Sequence, residues 1–96
     1  MVQVHRQDDS RVCGATTVVS GQGFVYVDGK LWAVIGDINT DGGGGLIPSN
    51  IAAIYINGKR VIGVGDHAEA DSLCEKIGPP HCDPFATGGD SNVTAS

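Results

Sequence analysis

The sequence predicts an all-β fold, a small pseudo-threefold assembly of short strand and hairpin repeats. The first observation is a repeat: Phe24-Val25-Tyr26-Val27-Asp28-Gly29-Lys30 is echoed 29 residues later by Ala53-Ile54-Tyr55-Ile56-Asn57-Gly58-Lys59. Asp-Gly and Asn-Gly after short apolar runs are the residues of two-residue type I′ hairpin turns. The second is glycine, 15 of 96 residues without a Gly-X-Y period; turns at that density imply short strands. The third is that no long apolar period of 3.6 residues runs through the chain to support a helix.

In order, residues 1–9 alternate polar and apolar as a strand, and Arg11–Ala15 reads as a loop. Thr16–Ser20 is β-branched and strand-like, and Gly21-Gln22-Gly23 interrupts it. Strands at Phe24–Val27 and Leu31–Ile35 flank the first turn, and Gly36–Gly45 is a loop. Strands at Ala53–Ile56 and Arg60–Val64 flank the second. Both units end in Gly-Asp, at Gly36-Asp37 and Gly65-Asp66. Residues 67–84 are the longest irregular stretch, with one helical turn expected at Ala68–Leu73. The tail from Ala86 matches Val18–Val25 in outline, and Val4–Asp9 matches Trp32–Asp37. One domain over residues 1–96 is therefore expected, with units at 16–37 and 45–66 and a third split between 86–96 and 1–9.

A net charge of −5 argues against a nucleic-acid partner, which calls for a basic stripe. No apolar run reaches membrane-spanning length and no signal peptide opens the sequence, so cytoplasmic synthesis is expected. Asp37–Gly42 begins like an EF-hand loop, but its twelfth position is Pro48, not Glu. The glycine clusters complete no phosphate-binding motif.

Three cysteines and three histidines remain. An odd cysteine count disfavours a disulfide framework. Cys13, His67, Cys74, His81 and Cys82 are candidate ligands, with spacing His-x6-Cys-x6-His-Cys in the long stretch. Thiolate and imidazole donors suit Zn²⁺, and Fe²⁺ less well. Cys13 and Asp41 occupy equivalent places in the repeat register. Cys13, His67 and His81 come first. The fourth ligand is open among Cys82, Cys74 and His5, and His5 also reads as a packed histidine. A Cys74–Cys82 disulfide is the rival reading of that pair, disfavoured in a reducing cytoplasm.

The pattern of small-residue break, apolar strand, Asn/Asp-Gly-Lys, strand and Gly-Asp resembles the PAAR-repeat family over residues 4–93. The Pro-Ala-Ala-Arg tetrapeptide is absent; its places read Leu31-Trp32-Ala33-Val34 and Arg60-Val61-Ile62-Gly63, while His5-Arg6 keeps an arginine in the split unit. Asp41-Gly42 stands where the family often has His-Gly. The resemblance implies a cone with a metal-pinned apex, residues 67–85 forming the apex loop. It implies a non-enzymatic tip seated on a trimeric β-helical spike, one tip per three spike chains, on a phage tail or a type VI secretion apparatus. It implies mechanical piercing of a cell envelope. The alternative is a small metal-dependent hydrolase using the His/Cys cluster.

Overall fold

The computed structural model describes residues 1–51 and 53–96; Ala52, inside the unit expected at 45–66, lies outside the described residues. In chain order the elements are β1 (Val2–Gln3), β2 (Thr17–Val18), β3 (Tyr26–Val27), β4 (Lys30–Leu31), β5 (Ile38–Asn39), β6 (Tyr55–Ile56), β7 (Lys59–Arg60), α1 (Cys74–Ile77) and β8 (Thr94–Ala95). The protein is small and nearly all β, built of short antiparallel pairs: β1 with β8, β2 with β5, β3 with β4, and β6 with β7. Asp28-Gly29 and Asn57-Gly58 make the β3–β4 and β6–β7 turns. Their φ values are +48° and +81°, then +54° and +78°, the left-handed pair that a type I′ turn requires.

The strands are shorter than the sequence suggests because each segment serves two neighbours. Trp32 bridges to Arg6, whereas Val34 bridges to Val61 and Val4 to Gly63. A segment that changes partner every two residues cannot extend a ladder, so the strands expected at Leu31–Ile35 and Arg60–Val64 shrink to β4 and β7 plus single bridges. The three residues between these bridges close a ring. His5 N–H donates to Ile62 O at 3.2 Å, Ile62 N–H to Ala33 O at 3.0 Å, and Ala33 N–H to His5 O at 3.0 Å. All three residues are fully buried.

The Gly-Asp ends of the repeats finish the ring. The carboxylates of Asp9, Asp37 and Asp66 accept the amides of Arg6, Val34 and Gly63, each at 2.9 Å. The preceding residues, Asp8, Gly36 and Gly65, all have positive φ. A short polar side chain at the third such position is tolerated because Asp, like Asn, enters the left-handed region more readily than other non-glycine residues.

A second tier repeats the scheme. Thr17 pairs with Asn39, Leu46 with Ala68, and Ala86 with Arg11. Residues 38–39, expected in a loop, form β5 here because Thr17–Val18 offers them a partner. Beyond this tier the amides of Val12, Thr40 and Glu69 donate to the carbonyls of Phe85, Thr16 and Gly45 at 3.0, 2.9 and 2.9 Å. Three loops leave the tier together, after Val12, Thr40 and Glu69. The helical turn expected at Ala68–Leu73 falls instead at Cys74–Ile77.

The apolar core is thin. One cluster holds Val19, Ala33, Leu46, Ile62, Ala68 and Ala86; another holds Val34, Ile51, Ile56 and Val61. Much of the remaining interior is polar, including His5, Arg11, Thr17, Asp37, Asn39 and Asp66. Buried polar groups of this kind are tolerable only when hydrogen-bonded, and here they tie the tiers together. His5 Nδ1 donates to Gly88 O at 2.7 Å, its Nε2 accepts from Thr17 Oγ1 at 2.6 Å, and Thr17 Oγ1 accepts from Arg11 Nε at 2.9 Å. A carbonyl acceptor at one end, the Arg11 donor at the other and the shared hydroxyl between leave the neutral Nδ1–H tautomer as the one that satisfies every partner.

Candidate metal centre

The three loops converge on Cys13, Asp41, Asp71 and His81, one donor atom from each lying within 4.8 Å of every other. Cys13 lies just past the Arg11 bridge, and Asp41 two residues past β5, so both are set by the second tier. Asp71 and His81 come from opposite limbs of the third loop, where Asp71 N–H donates to His81 O at 2.9 Å. His81 Nδ1 is 3.0 Å from Asp71 Oδ2 and 3.6 Å from Asp41 Oδ2. Cys13 Sγ is 4.0 Å from Asp41 Oδ2. Asp71 and His81 are buried, while Cys13 and Asp41 are partly exposed.

Asn39 organises this group from beneath. Its Nδ2 donates to Asp71 Oδ2 at 3.1 Å and faces Cys13 Sγ at 4.0 Å. Its Oδ1 accepts the Asp41 amide at 2.9 Å. Burial pushes the Asp71 carboxyl pKa up, but hydrogen bonds from His81, the Leu73 amide and Asn39 outweigh it and leave the pKa lowered. A carboxylate so held is ready to ligate a cation.

Arg11 lies below the same loops, 2% exposed. Its guanidinium donates to the Asp37 carbonyl at 2.9 Å, to the Pro84 carbonyl at 3.4 Å and to the Gly44 carbonyl. Gly44 must be glycine: it has φ +70°, and a Cβ there would meet Pro84 Cγ at 2.7 Å and Arg11 Nη1 at 3.2 Å. Burial pushes the Arg11 pKa down to about 10, against the opposing pull of Cys13, Asp37 and Asp71. It is still a cation at neutral pH. With Cys13 as thiolate, the three anionic donors and Arg11 sum to −2, the charge that a divalent cation balances. The donor set of one sulfur, one ring nitrogen and two carboxylates can therefore hold a metal ion.

The expected ligands divide. Cys13 and His81 are in the group. Cys74 and Cys82 are not thiols: they are joined in a disulfide with Cα atoms 4.7 Å apart, which corrects both as ligands and corrects the expectation against a disulfide. The tight reversal through α1 brings the two sulfurs together, and a bonded sulfur has no thiolate to offer a metal. His67 lies outside the group, exposed, with Nδ1 2.7 Å from Asp83 Oδ2 and its ring edge-on to Phe85. His5 sits in the central ring, committed to Gly88 and Thr17. Asp41 and Asp71 are the added donors. The repeat register pointed at Asp41; nothing in local spacing marked Asp71, because the third loop is longer than the other two.

No family model matches the chain, and no curated protein matches it either.

Proposed function

We propose that the chain is a non-enzymatic spike tip, a cone whose three-way strand order matches a trimeric β-helical spike and whose loop end is pinned by one structural metal ion. The observation that carries this reading is the coincidence of the closed His5–Ala33–Ile62 ring with a four-donor group where the three loops meet. A ring closed in three steps lets a single chain present similar edges to three spike chains. Exposed Phe24, Tyr26 and Tyr55 on and beside the β3 and β6 hairpins supply apolar contact area for the spike. Unpaired strand edges beside them add backbone hydrogen bonds by β-augmentation.

Zn²⁺ is the ion that the donors favour, since it accepts sulfur, nitrogen and oxygen together in tetrahedral sites; Fe²⁺ is second. Cys13, Asp41, Asp71 and His81 would fill four positions, as in structural rather than catalytic centres. The hydrolase alternative needs an open position and a concave substrate surface, and the described residues form no pocket. The place of work would be the tip of a phage tail or secretion apparatus, with transient contact to the target envelope. Mixing the protein with trimeric β-helical spike proteins tests the reading: a stable complex supports it, and folded protein that binds none of them refutes it.

A further inference from the structure

The Cys74–Cys82 disulfide closes the loop that carries half of the metal donors. Asp71 lies three residues before Cys74, and His81 immediately precedes Cys82. Besides the disulfide, the loop is held by hydrogen bonds: Asn39 Nδ2 donates to Asp71 Oδ2 at 3.1 Å, Ser72 Oγ to Asp41 O at 2.6 Å, and Asp71 N–H to His81 O at 2.9 Å. The four-residue helix α1 buries no side chain and has no side-chain N-cap, and a helix that short has no stability of its own. By contrast, Cys13 and Asp41 sit on short loops directly past the second-tier pairings of Arg11 and Asn39. Cys82 is exposed and Cys74 partly so, so a thiol from solution can reach the bond.

We infer that the Cys74–Cys82 disulfide is a redox gate on the metal centre: when it is oxidised Asp71 and His81 are pre-organised and the ion is held, and when it is reduced the ion is held weakly. This inference rests on the metal-pinned reading above. The reductant is a dithiol. One of its thiolates attacks Cys82 Sγ, the sulfur–sulfur bond breaks, and Cys74 leaves as a thiolate. The second thiol then releases Cys82. Both cysteines take up protons, and the dithiol becomes the two-electron-oxidised disulfide. A chain that meets reducing thiols first and oxidising surroundings later would exchange its ion early and lock it afterwards.

The test is the affinity of the full chain for Zn²⁺, by competition with a chromophoric chelator. It is measured oxidised and again after reduction with a phosphine, which takes oxygen from water as the disulfide gains two protons and two electrons. The expected result is roughly 10- to 100-fold weaker binding after reduction, the usual cost of losing support around a ligand. A double variant, Cys74→Ser with Cys82→Ser, should bind as weakly and ignore the phosphine; if it fails to fold, the comparison on the native chain decides. Equal or tighter binding by the reduced chain would overturn the gate and leave the metal centre standing. No Zn²⁺ binding by the oxidised chain would overturn both.

Discussion

Asn39 Nδ2 donates to Asp71 Oδ2 at 3.1 Å, tying a residue of the second tier to the loop that carries two of the four donors. Nothing else in the strand pairing reaches Asp71 so directly. On the proposed reading Asn39 supports the centre without ligating, whereas His81 is one of the four ligands. Asn39→Ala should therefore weaken Zn²⁺ binding about 10- to 100-fold while leaving a saturable site. His81→Ala should abolish tight binding and make the melting temperature insensitive to chelator. Chelator competition and thermal melts with and without chelator check both. A native melting temperature that chelator does not lower would count against the pinned loops.

His5 gives the stability a pH dependence. Burial, partly opposed by the hydrogen bond to Gly88, lowers its pKa from 6.5. The unfolded chain then takes up a proton that the folded chain refuses. The contribution is fully present above the unfolded value and is lost as pH falls from there toward the folded pKa. It is worth at most about 1.4 kcal/mol per pH unit in that window. Imidazole resonances followed by NMR should show His5 titrating below the ordinary histidine value, with the proton of the neutral ring on Nδ1. Titration at the ordinary histidine value would contradict the Gly88–His5–Thr17–Arg11 chain.

Arg11 binds three carbonyls with a planar donor fork that an ammonium cannot copy. Arg11→Met should destabilise the fold by about 3 kcal/mol, because it strands buried carbonyls and unbalances Cys13, Asp37 and Asp71. Arg11→Lys should recover less than half of that loss. Urea melts of the three proteins decide the matter, and a fully stable Lys variant would be the contrary result.

Asp66 Oδ1 gathers the amides of Ser49 and Asn50, at 3.2 and 2.9 Å, while its Oδ2 takes Gly63. Asp37 does the same for Ser20, Gly21 and Val34. Asp37→Ala and Asp66→Ala should each cost about 3 kcal/mol, by leaving several amides unpaired. Equivalent roles predict losses that agree within about 1 kcal/mol. A large loss at one site with none at the other, seen in the same urea melts, would break the equivalence.

These relationships were unequally visible in the chain. Asp28-Gly29 and Asn57-Gly58 announce their turns because few residues accept positive φ twice in succession. The paired Gly-Asp ends follow from the repeat, and Cys13 and Asp41 could be aligned by register alone. Arg11 could not be found this way. Its counterparts in the repeat are Asn39 and Ala68, so no pattern marks it, and only the converging loops give its charge a purpose. The sequence offers the Cys74–Cys82 disulfide only as a rival reading, since the pairing depends on the reversal through α1 and Gly78. Local spacing favoured His67 as a ligand, yet Asp83 and Phe85 hold it on the outside.

The stoichiometry of a complex with a trimeric β-helical spike, read from its native mass, tests the central claim most directly. One chain per three spike chains is the predicted result, retained when the spike is in excess. A complex of three chains per trimer, or a folded and metal-loaded protein that binds no spike, would contradict it.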